Sequence, residues 1–245
     1  MKQNKGFTLI ELLVVISIIA LLLSILMPGL QKAKEVARRT ICSSCMHELG
    51  LSVHLYSEQE DGLLPAMVVL HNGDVRNTQT TNHHARWWRI QNTPGEISWW
   101  NLGLLWKTGV IEDTGEIFFC PSSKALFKYK DYAKPNFPTD IQIGATGVRV
   151  PYSYNPECVS LTDRTRKYNK LLDMNANALL VVDLLTKTNT ATGDGIAHEK
   201  GWNILRGDVS VAFSVDREVQ EIIDASDNFE GDDYEALDEV LRLLK

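Results

Sequence analysis

This chain lacks the short motifs that announce catalysis. It has no G-x-S-x-G elbow and no H-E-x-x-H helix, which excludes the commonest serine-hydrolase and zinc-protease arrangements. No internal repeat is visible, nor a twin-arginine signal or lipidation pattern. Cysteine is scarce, at four in 245 residues, with a single C-x-x-C pair, Cys42 and Cys45. An even count permits disulfides among Cys42, Cys45, Cys120 and Cys158, and a bridge from Cys42 or Cys45 to Cys120 is the favoured pairing. A four-cysteine zinc site would need Cys120 and Cys158 to join the pair, and small buried thiols are a third reading.

Calcium has no ready-made loop either. The acid-rich stretch Asp224 to Asp233 misses the EF-hand pattern, because Gly231 is out of place. It reads as a solvated loop, with calcium binding as the alternative, so no cofactor is expected by default. Charge is uneven. The net value is −6, yet residues 1–40 carry a balance of +4 and residues 216–245 a balance of −8. These are expected to be two solvated faces, although a basic stem and an acidic tail could also attract each other between copies.

What the chain does have is a long apolar run near its start. Met1 to Gly6 is short and basic, with Lys2 and Lys5. Phe7 to Leu30 is almost wholly apolar and long enough to span a bilayer, which takes about 20 residues as a helix. One carboxylate, Glu11, sits inside it, and a charge in hydrocarbon is costly enough to need a reason. An ordinary secretory signal loses its apolar stretch on cleavage. Here the plausible cut lies before that stretch, between Gly6 and Phe7. Pro28-Gly29 is expected to break or kink the helix, since proline removes a backbone bond and clashes with the preceding turn.

Beyond it, Ala33, Val36, Ala37, Ile41, Cys45, Leu49, Val53 and Tyr56 recur at helical spacing, and Asp61-Gly62 reads as the stop, with Pro65 after it. The spacing therefore predicts one stem helix of over fifty residues. Ser98 to Lys107 is expected to be a short helix, Glu116 to Cys120 a strand, Ala178 to Leu184 a buried strand, and Asp232 to Lys245 an amphipathic helix. Trp202 to Arg206 and Val209 to Val215 flank Gly207-Asp208 as a hairpin. Residues 66–115 and 122–177 read as largely irregular.

The run Gly6-Phe7-Thr8-Leu9-Ile10-Glu11 resembles the cleavage and methylation signal of type IV prepilins and of type II secretion pseudopilins. The resemblance implies a membrane-anchored α+β protein, with its long helix packed on a small antiparallel sheet, variable loops and a C-terminal helix. It implies a leader at 1–6, a transmembrane helix at 7–30, an amphipathic stem at 31–62 and a head at 63–245. A prepilin peptidase would cut after Gly6 and methylate Phe7, and Glu11 would pair with a neighbouring subunit's new amine. The implied location is the inner membrane with a periplasmic head. The implied partners are that peptidase and other pilin subunits, with no nucleic acid. Further motifs, Arg39 through Pro65, Phe119-Cys120-Pro121-Ser122, Tyr152-Ser153-Tyr154-Asn155 and His198 with Asp208, resemble the prepilin-like proteins with a C-terminal H-X9-DG motif. The match departs at Val209, where that group has glycine, so the turn is expected to shift to Gly207-Asp208.

Two clusters in the head invite other readings. Asp183, His198 and Asp208 could meet at the ends of adjacent strands, as a hydrogen-bonded clasp or as a metal-dependent enzyme site. Trp87, Trp88, Trp99 and Trp100, beside Arg86 and Arg89, are either a local core or a stacking surface for glycan or DNA.

Overall fold

The computed structural model describes residues 8–66, 68–69, 75–76, 87–93, 96–111, 115–122, 148–154, 168–183, 198, 201–225, 239–240 and 243–244. A single helix, α1 (Leu9–Gln59), dominates the chain. The chain divides into two units between Arg38 and Arg39.

In the first unit, every described residue up to Lys34 is exposed, including the large apolar side chains from Leu9 to Leu30. Such a continuous apolar surface needs a non-aqueous surrounding, and it is long enough to cross a bilayer. The helix runs on through Pro28, where a break was expected. Proline removes one backbone bond and Gly29 after it is a poor helix former, yet the helix continues across both.

In the second unit, α1 buries Cys42, Met46, Leu49, Gly50, Val53, Tyr56 and Ser57. The spacing alternates between three and four residues, which keeps one stripe facing the head. Each of Met46, Leu49 and Val53, withdrawn from water, contributes on the order of 1.5–3 kcal/mol. Val36 and Ile41, expected on this face, are exposed, because the buried stripe has its phase set at Cys42. The helix ends in a left-handed corner at Asp61 and Gly62, where the Gly62 N–H donates to the Ser57 carbonyl at 2.8 Å.

Two antiparallel sheets follow. The strands β1 (Val68–Val69), β2 (Val75–Arg76), β3 (Trp87–Thr93), β4 (Glu96–Trp100) and β5 (Val148–Arg149) form one, in the order β2-β1-β4-β3-β5. Residues 66–115 are therefore more regular than their polar composition implied. The expected helix from Ser98 is split. Ser98 to Trp100 pairs within β4, Asn101 turns the corner at a φ of 50°, and α2 (Gly103–Lys107) starts afresh. Glu116–Phe118 is a 3-10 turn where a strand was expected. Phe118, Phe119 and Cys120 are buried in succession, a pattern without the alternation of a half-buried strand.

The second sheet has the order β6-β7-β8-β9, from β6 (Tyr152–Tyr154), β7 (Leu179–Asp183), β8 (Trp202–Arg206) and β9 (Val211–Ser214). It is covered on both faces. Tyr152, Tyr154, Val181 and Leu205 share a core with the α1 stripe. Val182, Trp202 and Ile204 share another with Val219 and Ile223 of α3 (Arg217–Ala225) and with Val240 and Leu244. That double cover explains why β7 is buried along its whole length and reads Leu-Leu-Val-Val-Asp. The helix α3 was not expected from the sequence. Its signal is Asp216, whose Oδ1 caps the N–H groups of Glu218 and Val219. Of the expected terminal helix, Val240 and Leu244 share a helical backbone bond, and residues 226–238 lie outside the described residues.

Candidate functional site

The strand alternation of the second sheet aims Tyr152, Asp183 and Asn203 at the stem side. Tyr152 is paired with Asp183, and Asn203 sits beside it on the neighbouring strand. The stem presents Cys42 at the same place. Cys120 arrives from the segment after the 3-10 turn, and His198 from a bridge to Gly201 at the entry to β8. Cys42, Cys120, Asp183 and His198 are all buried, and one donor atom from each lies within 4.8 Å of the others.

The hydrogen bonds define the geometry. The Cys42 thiol donates to Asp183 Oδ1 at 3.2 Å and lies 3.4 Å from the Tyr152 hydroxyl. Asp183 Oδ2 accepts from the Asn203 backbone N–H at 2.7 Å and from its side-chain amide at 2.9 Å. That amide nitrogen also lies 3.1 Å from His198 Nε2. An amide N–H can only donate, so this contact presents Nε2 as a lone pair. Cys120 Sγ is 3.6 Å from His198 Nε2 and accepts from the Ser122 backbone N–H at 3.4 Å.

The buried setting perturbs each group. The neighbouring Cys42 brings the Cys120 thiol down to about 5, against the cost of burial. Cys42 moves upward in the opposite sense, through its nearness to Cys120 and its burial. Burial, and then the charge on Cys120, push the Asp183 carboxyl up to about 7. Burial also raises the Tyr152 hydroxyl well above its ordinary value.

Two of the three expected clasp residues meet. His198 Nε2 lies 3.5 Å from Asp183 Oδ2. Asp208 does not join them. It is exposed in the turn between β8 and β9, where its Oδ1 accepts from the Ser210 N–H at 2.9 Å. Each end of that spacing thus has its own task, because β8 carries Asp208 to the far end of the hairpin. The turn is centred on Gly207-Asp208, as expected, but this does not spare Val209. That residue itself adopts the left-handed conformation, at a φ of 69°. Its N–H donates to the Arg206 carbonyl at 3.0 Å.

The expected disulfides are absent among the described cysteines. Cys42, Cys45 and Cys120 are free thiols, and Cys158 lies outside the described residues. Cys42 and Cys120 are drawn together by Asp183 and His198, a link that spacing along the chain cannot reveal. Cys45 is only partly buried, its thiol pushed up to about 11 chiefly by burial. Tyr152 and Asn203 fall within the motifs read from the sequence, but neither was expected at the site.

At the other expected sites, Glu11 Oε2 accepts from both the backbone N–H and the hydroxyl of Thr8, at 2.9 and 2.7 Å. Thr8 Oγ1 accepts the Glu11 N–H in return at 3.3 Å. This is a capping box at the start of α1. Gly6 and Phe7 lie outside the described residues. Trp99 packs against the main core, and the side chains of Trp87 and Trp88 lie outside the described residues.

A membrane-length apolar helix that continues as the spine of an α+β head defines a class of bitopic, stem-and-sheet proteins. Residues 1–27 match the prokaryotic N-terminal methylation motif. The chain is 35% identical over 81 residues to the competence protein ComGC of Halalkalibacterium halodurans, covering 33% of this chain and 79% of that protein. It is 46% identical over 48 residues to the type IV wide pilus major component PilA4 of Thermus thermophilus, covering 20% of this chain and 37% of that one. It is 34% identical over 63 residues to the ComG operon protein 3 homolog of Bacillus licheniformis, covering 26% of this chain and 65% of the relative. No solved structure matches the chain. The chain belongs to the type IV pilin-like family, as a membrane-anchored structural protein rather than an enzyme.

Proposed function

We propose that this protein is a structural subunit of a type IV pilus-like or pseudopilus filament. It is made as a precursor, cut by a prepilin peptidase between Gly6 and Phe7, and methylated on the new Phe7 amine. The head then faces the periplasm while the apolar helix stays in the inner membrane until assembly. The observation that carries the reading is the methylation motif at residues 1–27, leading into a fully exposed apolar helix with one carboxylate near its start.

The capping box gives that carboxylate a second task. Before assembly Glu11 is held by Thr8 of its own chain, which lowers the cost of carrying it into the membrane. In a filament, a neighbour's Phe7 ammonium would supply the counter-charge. Mass spectrometry of the protein recovered from native membranes tests the processing. The expected product starts at N-methylated Phe7, and an intact Met1–Gly6 leader in filament-forming cells refutes it.

A further inference from the structure

We propose that Cys42, Cys120, Asp183 and His198 form a buried tetrahedral zinc site that fastens the stem helix to the head. A tetrahedral zinc with bonds of about 2.3 Å to sulfur and about 2.0–2.1 Å to nitrogen or oxygen sets its donors about 3.3–3.8 Å apart. Two contacts fall at or near those edges: Cys42 Sγ to Asp183 Oδ1 at 3.2 Å and Cys120 Sγ to His198 Nε2 at 3.6 Å. All four donors lie within 4.8 Å of one another, so the widest pair needs to close by only about 1 Å.

The surroundings suit a metal better than they suit a disulfide. A disulfide between Cys42 and Cys120 would leave a buried carboxylate and a buried imidazole beside it with no task. Zinc uses all four groups and supplies the positive charge that a buried carboxylate needs. Asp183 already offers Oδ1 toward Cys42, while Asn203 holds Oδ2 with two donors. The contact with the Asn203 amide presents His198 Nε2 unprotonated, and the lone pair that accepts from Asn203 is the one that zinc would take. The Tyr152 hydroxyl at Cys42 and the Ser122 N–H at Cys120 are placed to support the thiolate charge. Two thiolates with one nitrogen and one oxygen favour zinc over calcium or magnesium. Binding displaces the thiol protons of Cys42 and Cys120, and the four ligands close the site, so its role is structural. The ligands come from the stem, the segment after the 3-10 turn, the end of β7 and the entry to β8, so one ion would tie four stretches of chain together.

The test uses the full chain, extracted in mild detergent and purified through a tag without histidine. Metal analysis should find about one zinc per chain. Content should fall at least about tenfold in Cys120→Ser and in His198→Ala. Cobalt exchanged into the unaltered protein should show thiolate-to-metal charge-transfer absorption and the intense visible bands of a tetrahedral site, a readout independent of whether the variants fold. Recovery of Cys42 disulfide-linked to Cys120 in an unreduced digest overturns the proposal. So does an unaltered protein that binds neither zinc nor cobalt.

Discussion

His47 donates from Nδ1 to the backbone carbonyl of Val209 at 2.9 Å, joining positions 162 residues apart. Two turns further along α1, His54 donates from Nε2 to the Gly207 carbonyl at 3.1 Å. Carbonyls only accept, so each of these ring nitrogens carries its proton. The stem thus holds the β8–β9 turn by its backbone, between two histidines spaced seven residues apart on one helix face. Replacing both with alanine should lower stability by about 1 kcal/mol for each bond lost. Denaturant unfolding of the purified chain reads this as a lower midpoint with an unchanged slope.

Gly50 sits between those histidines and makes the close approach possible. A Cβ there would lie 2.9 Å from both Leu205 Cδ1 and Val209 Cγ1. Leu205 can rotate away, whereas the branched Val209 is stiff. Gly50→Ala should therefore destabilise, its overpacking cost of about 1–3 kcal/mol exceeding the roughly 1 kcal/mol of helix propensity gained. In a Val209→Gly background the same change should become neutral or stabilising. A double-mutant cycle should give a coupling of about 1 kcal/mol, and strict additivity would show that the two residues do not clash.

Asn203 serves the buried Asp183 with both its backbone and its side chain. Asn203→Leu removes the side-chain donor and should cost about 1–3 kcal/mol, because Asp183 stays buried with less support. Thermal unfolding checks it. Asn203→Asp should be worse still, since two carboxylates would then share one dry pocket.

Glu11 separates capping from charge. Glu11→Gln keeps a side-chain oxygen for Thr8 and should leave membrane insertion intact while abolishing incorporation into filaments. Glu11→Ala should lose both the capping contact and incorporation. Membrane fractionation with immunodetection of sheared filaments distinguishes them, and normal filaments from Glu11→Gln would refute a charge-pairing role.

Much of this was legible from residue order alone. An apolar run with one carboxylate at its start declares its character locally, as does a two-strand hairpin around Gly207-Asp208. The capping box was legible too, as Thr8 three residues before Glu11. The helix α3 was not read from the sequence, although Asp216 before it is a capping signal. The split at Asn101 was not legible, because its left-handed turn depends on strand pairing with β1 and β3. The buried face of the stem was read correctly at Leu49, Val53 and Tyr56 and missed at Val36 and Ile41, since several apolar stripes coexist on α1 and only contact with the sheet selects one.

The sequence by itself determined how this protein is mounted. Its anchor, the start of its stem and its pilin-like character follow from neighbours in the chain, whose chemistry needs no distant partner. Only the tertiary structure decided that Cys42 and Cys120 stand with Asp183 and His198, that Asp208 stands apart, and that Val209 takes a backbone conformation suited to glycine. Those outcomes depend on which faces of four separate segments are buried together, and burial in a shared core is a property of the packed chain rather than of any stretch within it.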